Sequence, residues 1–185
     1  MIPWSMVMSA AEPPTVSPAR SALEVCIGSN LQRTVAASSP LRYDSYRNVG
    51  FGGSFSLAIR SRYPLLPTLE LARFGMLEAS RRGSVGIVDT TVYAWVYRAG
   101  IAADLWRIRP AAGIALYSIH TSARTLTNSY ASHENSFGYF AALSAYPLIR
   151  GPVRLALEVR ADFPIEAAMS SYGAGVRVSY DALSF

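Results

Sequence analysis

Three residues in the second half of the chain have the types and spacing that acyl-transfer chemistry needs. His120 and Ser122 are two positions apart, so in an extended strand they lie on one face, and Glu134 follows across the next connection. A serine hydroxyl, an imidazole and a carboxylate can form a nucleophile, its base and the group that orients the base. Ser122, His120 and Glu134 are therefore a candidate catalytic set for a hydrolase.

Metal and cofactor chemistry have less support in the sequence. His120 and His133 are the only histidines, and no motif with three metal ligands accompanies them. Cys26 is the only cysteine, so the chain forms no internal disulfide and no thiolate cluster. We expect no metal, no other cofactor, and a packed structural role for the Cys26 thiol.

The ionisable residues follow a period of two, which points to strands. In residues 153–163 the apolar side chains alternate with Arg154, Glu158, Arg160 and Asp162. Successive side chains of a strand point to opposite sides, so this segment has one apolar face and one charged face. A helix of the same residues would carry charges all round. The pattern predicts a strand.

Similar alternation recurs along the chain and predicts eight strands. They cover residues 22–31, 51–63, 68–78, 92–105, 110–122, 136–148, 153–163 and 170–182. The longer polar connections 32–49, 79–89 and 123–134 alternate with the tight turns 64–67, 106–108 and 150–152, and only the short link 164–168 departs from this order. Such alternation is expected of an up-and-down barrel with one end outside the cell and the other in the periplasm.

Composition supports a membrane barrel of this kind. The 185 residues suit one domain, 51% are hydrophobic and only 16% are charged. No stretch of eighteen apolar residues occurs, which excludes a transmembrane helix. The net charge of +5 comes without any nucleic-acid-binding motif, so nucleic acid is not an expected partner. An apolar chain without a spanning helix favours a transmembrane β-barrel.

The polar face of the predicted strands fits a packed interior. It carries Gly, Ala and Ser between six cations and seven anions: Arg60, Arg62, Arg98, Arg154, Arg160 and Arg177 against Glu24, Glu70, Glu78, Asp104, Glu158, Asp162 and Asp181. Charges in a tight lumen must be paired, because an isolated buried charge costs several kcal/mol. We predict a lumen ion-pair network of Glu24, Arg60, Arg62, Arg98, Asp104, Arg154, Glu158, Arg160, Asp162 and Arg177.

The orientation of the two faces leaves an alternative open. A soluble, lipocalin-like ligand-binding barrel would place its apolar face inside and its polar face in water. The aromatic residues favour the membrane alternative, because they gather near strand ends and suggest girdles at two membrane interfaces. Those near the tight turns are Tyr63, Trp106 and Tyr146, and those near the long connections are Phe51, Tyr93, Phe137 and Tyr172.

Arginines also gather in the predicted outer connections. They are Arg33, Arg42, Arg47, Arg81, Arg82 and Arg124. Guanidinium groups bind phosphate bidentately, so this rim is a candidate site for lipid headgroups, including those of lipopolysaccharide. Solvated loop charges are the alternative explanation.

Four runs of the chain resemble the small outer-membrane β-barrel family, which includes the membrane domain of OmpA. The runs are RPAAGIALY at 109–117, FGYFAAL at 137–143, GPVRLALEVR at 151–160 and YGAGVRVSY at 172–180. The resemblance covers about residues 20–185, and it implies an eight-stranded barrel in a bacterial outer membrane. It also implies that the C-terminal strand, ending at Phe185, is recognised by the barrel-assembly machinery. Counting back in twos from Phe185 gives Leu183 and then the polar Asp181, Ser179 and Arg177, where the family has apolar residues. A bulge or a short tail near Ala182 would restore the apolar phase.

The catalytic candidate carries its own resemblance. The His-x-Ser spacing and the later Glu resemble the outer-membrane lipid A deacylase family, which would make Ser122 the nucleophile, His120 the base and Glu134 the orienting group. Ala123 departs from that family, which usually has Asn after the serine. The hairpin also differs in position, because two further strands follow it. We rank this hydrolase below a non-enzymatic role.

The complete prediction is one all-β domain. Residues 1–20 resemble a signal-peptide remnant and linker, and residues 21–185 form a single eight-stranded antiparallel up-and-down transmembrane β-barrel. Eight strands leave too little width for an open aqueous channel, so side chains are expected to fill the lumen. We therefore expect a monomeric outer-membrane protein with a structural, adhesive or lipid-interacting role, and not a porin.

Overall fold

The chain folds into a single antiparallel sheet. A computed structural model describes residues 21–36, 44–61, 63–83, 86–165 and 169–184. The strands in these residues are β1 (Ala22–Ala36), β2 (Ser45–Arg47), β3 (Val49–Arg60), β4 (Leu65–Gly83), β5 (Gly86–Ala103), β6 (Ile108–Arg124), β7 (Ser129–Arg150), β8 (Val153–Pro164) and β9 (Met169–Ser184). No helix in this part of the chain is long and apolar enough to cross a membrane. The predicted signal remnant, residues 1–20, lies outside the described residues.

The sheet closes on itself. Eight strands form a ring in the order β1, β3, β4, β5, β6, β7, β8 and β9, and β9 pairs with β1 to close it. With β2 the strand count is nine where the sequence predicted eight. The additional strand is β2, which pairs with β4 from Ser45↔Ser80 to Arg47↔Glu78 inside a stretch predicted as a connection.

Two of the predicted long connections are mostly strand. β4 and β5 continue pairing up to Gly83↔Gly86, and β6 and β7 continue up to Arg124↔Ser129. β8 is shorter. Its pairing with β7 begins at Gly138↔Pro164 and runs from there to the tight turn between the two strands. One side of the ring therefore rises above the other. We call this part the protruding sheet: residues 77–83, 86–92, 119–124 and 129–137 together with β2.

The strands bury their charged side chains and expose their apolar ones, which is the reverse of the pattern in a soluble barrel. In β8, Arg154, Glu158, Arg160 and Asp162 are buried, whereas Leu157 is 54% exposed. The same alternation places large apolar side chains on the outside of all the long strands. Because successive side chains alternate, one register fixes both the charged interior and the apolar exterior.

Bulges correct the phase of β9 and β4, and the pairing of β7 with β8 contains a further register shift between Ala145 and Leu148. In β9, Leu23 pairs with Leu183 and Glu24 pairs with Asp181, so Ala182 is the extra residue. The bulge predicted near Ala182 is confirmed, although Phe185 itself lies outside the described residues. In β4 a second bulge lies between Gly75 and Leu77.

The β4 bulge overturns one inner-face assignment. After it, Glu78 is on the outer face and 66% of its side chain is exposed, beside Arg47 at 3.8 Å. The prediction that Glu78 belongs to the inner face was wrong, because the extra residue shifts every later side chain of β4 to the opposite side.

Candidate functional site

The interior at the end of the tight turns holds a compact group of six charges. We call it the turn-end cluster: Glu24, Asp104 and Asp181 with Arg60, Arg109 and Arg154. Its residues come from the ends of β1, β3, β6, β8 and β9 and from the β5–β6 turn, all adjacent to the short connections. The closed ring brings these strand ends together across the interior.

Glu24 is at the centre of the turn-end cluster. Its carboxylate accepts hydrogen bonds from Arg109 at 2.6 and 3.0 Å and from Arg154 at 3.0 Å. Arg154 and Arg60 also donate to Asp181, at 2.6 and 3.2 Å. The side chain of Glu24 is almost fully buried. Such a buried carboxylate is tolerable only because several guanidinium groups neutralise it.

A second group of six charges lies further along the interior. We call it the middle cluster: Glu70, Glu158 and Asp162 with Arg98, Arg160 and Arg177. Arg98 donates to Glu70 at 2.6 Å and to both oxygens of Asp162 at 3.0 Å. Arg160 bonds both Glu70 and Glu158. The middle cluster therefore joins β4, β5, β8 and β9 across the ring.

Both clusters are electrically balanced. Each contains three carboxylates and three guanidinium groups, all of which bond within their own cluster. Bidentate Arg–carboxylate geometry recurs, as in Arg109 with Glu24 and Arg98 with Asp162. The carboxylates and guanidinium groups of the lumen thus neutralise one another.

The structure brings together nine of the ten residues predicted for the lumen network; Arg62 lies outside the described residues. Glu70 and Asp181, assigned from the sequence to the polar face but not to the network, belong to it as well. Arg109 was not anticipated, because it adjoins a predicted turn. Arg109 is six positions before Ala115, whose side chain points into the ring. The period of two would therefore have placed the side chain of Arg109 inside the ring as well.

An apolar layer fills the interior above the middle cluster, towards the protruding sheet. It contains Phe74, Met76, Val92, Ala94, Val96, Ala115, Tyr117, Ile119 and Phe140. The Tyr117 hydroxyl donates to Asp162 at 3.0 Å, and the guanidinium carbons of Arg98 and Arg160 lie 5.9 and 5.8 Å from the centre of the Phe140 ring. These contacts join the charged and apolar layers without a gap. The alternation of residue types in the sequence did not indicate this layer.

Little free space remains between the two charged clusters. The cavity there has a volume of about 40 Å³ and is lined by charged residues of both clusters, including Glu24, Arg109 and Glu158. A cavity of about 10–15 Å³ can hold a single water, so this one has room for only a few waters. Cys26 lies at its wall, where its sulfur accepts a hydrogen bond from Arg177 at 3.2 Å.

The candidate catalytic residues are not assembled into a triad. His120 pairs across the β6–β7 ladder with His133, whereas Glu134 pairs with Ile119, so Glu134 lies on the opposite face from His120 and Ser122. No carboxylate among the described residues forms an ion pair with His120. The serine that lies near the imidazoles is Ser118, whose oxygen is 3.3 Å from Nε2 of His120 and 2.7 Å from Nε2 of His133.

The histidines instead belong to an aromatic stack on the outer face. The ring of His120 stacks on Tyr93, with centroids 4.9 Å apart and planes 8° apart, and lies 4.6 Å from the ring of His133. The stack therefore crosses β5, β6 and β7. The described residues contain no group of three or more metal-ligating side chains.

The predicted arginine rim is exposed but lies close to carboxylates. Arg47 pairs with Glu78, the backbone N–H of Arg82 donates to Asp44, and Arg124 is opposite Asp89 in the β5–β6 ladder. Arg33 and Arg81 are exposed as well, at the outer ends of β1 and β4, and Arg42 lies outside the described residues. The described rim is thus of mixed charge.

One predicted girdle residue is inside the ring. Tyr146 is 7% exposed, and its ring faces the guanidinium group of Arg109 at 5.0 Å. Its placement in the turn-end girdle was wrong, because Tyr146 continues the alternation of the buried residues Ala142 and Ser144. The register of β7 against β8 shifts between Ala145 and Leu148, and the next even-numbered residue, Leu148, is 55% exposed. The other girdle residues, Tyr63 and Trp106 at the turn end and Phe51 and Phe137 among those at the opposite end, are exposed on the outside.

A closed antiparallel ring that is charged inside and apolar outside is the fold of the small outer-membrane β-barrels. The crystal structure of Ail, the attachment invasion locus protein of Yersinia pestis, in complex with the heparin analogue sucrose octasulfate, matches with a TM-score of 0.64 and 11% sequence identity, covering 87% of this chain and 98% of that chain. The crystal structure of Neisserial surface protein A matches with a TM-score of 0.55 and 14% identity over 87% and 98%. At these identities the likeness concerns the fold. No protein-family model and no curated protein matches the sequence.

Proposed function

We propose that this protein is a bacterial outer-membrane β-barrel that acts at the cell surface and does not conduct solutes. The observation that carries the proposal is the inversion of the two faces. Twelve charged side chains bond one another inside the ring, while large apolar side chains such as Ile27, Phe51 and Leu69 are 62–70% exposed outside it. A continuous exposed apolar surface is stable in lipid and prone to aggregation in water. The same inversion disfavours the lipocalin-like alternative.

The orientation follows from strand length. A strand needs about 9–11 residues to cross the membrane, whereas β4 has 19 residues and β7 has 22. The excess lies at the end with the protruding sheet. We therefore place the tight turns and both termini in the periplasm and the protruding sheet outside. A monomer is sufficient for this arrangement, and the C-terminal strand is the proposed contact with the barrel-assembly machinery.

The packed interior supports a role other than transport. The two clusters and the apolar layer occupy the ring from the tight turns to the base of the protruding sheet, and the cavity between the clusters measures about 40 Å³. An eight-stranded ring is just wide enough to be filled by side chains in this way. We infer that the lumen is closed.

The protruding sheet is the part best suited to contact a partner. Residues 129–135 of β7 are exposed, and among the described residues they pair only with β6, so one sheet edge is open. An open edge can accept a further strand from another protein. The mixed charge of the rim gives less support to a polyanion such as the sulfated sugar bound by Ail. We therefore favour an adhesive role through the sheet edge.

The hydrolase alternative loses support because Glu134 is on the wrong face to orient His120. Ser118 and His133 are within hydrogen-bond distance, but no carboxylate of the described residues completes the set. The barrel has no other constellation in these residues that favours an enzyme.

The test of the location uses two matched variants. Leu157 is on the outer face in the middle of β8, and Ile87 is on the outer face of the protruding sheet. The Leu157→Arg substitution should destabilise the folded barrel in lipid by about 2–4 kcal/mol, and Ile87→Arg should change its stability by less than about 1 kcal/mol. The wild-type chain is expressed with an intact signal peptide, and urea-washed outer membranes are run on SDS gels with and without boiling.

We expect the unboiled wild-type protein to migrate faster than the boiled protein, as a detergent-resistant barrel does. The Leu157→Arg variant should lose much of this fast band, while Ile87→Arg keeps it. A protein recovered from the soluble periplasm, or equal tolerance of both substitutions, would overturn the membrane assignment and favour the lipocalin-like alternative.

A further inference from the structure

The outer surface of β3, β4 and β5 contains an open groove beside an arginine. The groove has a volume of about 620 Å³, and apolar side chains line most of it, including Phe51, Phe55, Leu71 and Trp95. Its floor includes Gly53, which lies between the two phenylalanines on the outer face of β3. A Cβ at Gly53 would meet no atom closer than 3.8 Å, so the missing side chain leaves a real slot.

Arg73 is the cation of this groove, and it differs from the arginines of the interior. It points outward from β4, opposite Gly53 on one side and Trp95 on the other. Its guanidinium carbon is 4.8 Å from the centre of the Tyr93 ring and 5.5 Å from that of Trp95. No carboxylate among the described residues is within ion-pair distance of it. The two rings thus fix the position of a cation whose charge is not neutralised by the protein.

The level of Arg73 along the barrel explains how an outward-facing charge is tolerated. It is the ninth residue of β4, which begins at the turn end with Leu65. About 9–11 residues span the membrane, so Arg73 lies where the apolar zone meets the outer headgroups. An outward arginine is costly at the centre of the bilayer and tolerated near its surface. Tyr93 and Trp95 are the residue types that prefer this interface.

We propose that Arg73 and the groove over Gly53 bind one phosphorylated, acylated glycolipid of the outer leaflet, the class represented by lipid A. A phosphate accepts hydrogen bonds from the Arg73 guanidinium, and an acyl chain lies in the slot between Phe51 and Phe55. Arginine is well suited to phosphate because its donors are planar and paired. Ser118, His120 and His133, next to Tyr93 on the same face, offer polar groups to the sugar. The inference rests on the proposed outer-membrane location.

The test measures lipid A retained by the intact barrel. Wild-type protein and four variants are extracted from outer membranes in mild detergent, and bound lipid A is quantified by native mass spectrometry. The Arg73→Gln substitution removes the cation, Arg73→Lys keeps a cation without the guanidinium group, and Gly53→Leu fills the slot. The control Arg107→Gln removes an exposed arginine beside Trp106 at the tight-turn end of the barrel, away from the groove. Each variant is first checked for the fast band on an unboiled gel, which separates a failure of this site from a failure of the membrane assignment.

We expect at least a tenfold loss of bound lipid A in Arg73→Gln and in Gly53→Leu, and no change in Arg107→Gln. In Arg73→Lys the retained cation should restore part of the binding. Added monophosphoryl lipid A should compete with the bound lipid, while millimolar inorganic phosphate alone should not. Unchanged retention in folded Arg73→Gln, an equal loss in Arg107→Gln, or full displacement by inorganic phosphate would each overturn the proposal.

Discussion

At the scale of single residues, the interior depends on a few carboxylates that each bond several arginines. Glu24 is the clearest case, because its nearly fully buried carboxylate accepts hydrogen bonds from both Arg109 and Arg154. If its charge is removed, the turn-end cluster keeps three guanidinium groups and only two carboxylates. Two buried cations then each lose a charged partner.

We expect Glu24→Gln to lower the free energy of unfolding by about 3–5 kcal/mol, the usual result of breaking a buried ion pair from one side. The matched control is Glu78→Gln, which removes an exposed partner of Arg47 and should cost less than about 1 kcal/mol. Urea titration of both variants in lipid vesicles, followed by tryptophan fluorescence, gives the two values. Equal losses would show that the turn-end cluster contributes no more than a surface pair.

The membership of the network was readable from the sequence wherever a strand is regular. Period two placed Arg154, Glu158 and Arg160 on one face because β8 has no bulge in its pairing with β9. The approach failed at Glu78, which follows a bulge, and at Arg109, which adjoins a turn. The individual partners could not be predicted, because they are set by how strands far apart in sequence meet across the ring.

At the scale of elements, the protruding sheet was the least predictable part. Most of its side chains are exposed or half-buried, so its strands lack the apolar–polar alternation that identifies the lower parts. Their Ser, Thr and Arg residues resemble loops. Backbone pairing across β4, β5, β6 and β7 forms the sheet nevertheless. The apolar layer was missed for the opposite reason, since residues 92–97 are apolar or aromatic on both faces.

The protruding sheet should be separable from the barrel that supports it. Thr121 pairs with Ser132, so residues 122–131 can be replaced by Asn-Gly, a pair that favours the two-residue hairpin turn. The shortened protein should keep its heat-dependent gel shift, because the charged clusters and the apolar layer are unchanged. It should lose adhesion, measured as the retention of expressing cells on immobilised matrix proteins.

The control for the shortened hairpin is a variant altered on the same strands without loss of the sheet edge, such as Ser122→Ala. This variant should adhere as the wild type does, and it should leave the acylation of lipid A unchanged. Full adhesion by the shortened protein would exclude residues 122–131, with the tip of the β7 edge, as the contact surface. Loss of the gel shift would show that the protruding sheet is needed for folding.

At the scale of the whole molecule, three layers follow one another along the axis of the ring: the turn-end cluster, the middle cluster and the apolar layer. Each seals the interior in a different way. The charged layers bind their own counter-charges and leave no fixed excess charge to attract an ion. The apolar layer has few polar groups to hydrate an ion, and the hydroxyl of Tyr117 already donates to Asp162. Tyr117 and Phe140 connect the layers, so a solute would have to disrupt the ion pairs and the apolar packing together.

This layering predicts that the folded protein gives no steady conductance in planar bilayers. The protein is reconstituted from a preparation that shows the unboiled fast band, and an open porin in the same bilayer confirms that channels are detected. Brief, irregular openings are compatible with a filled lumen. Arg60 is partly exposed, so its salt bridges can break and be replaced by bonds to water more readily than those of the buried Arg98. A stable, voltage-independent open level would contradict the closed interior. The protein would then be a channel, and the turn-end cluster would be the part that selects the permeating ion.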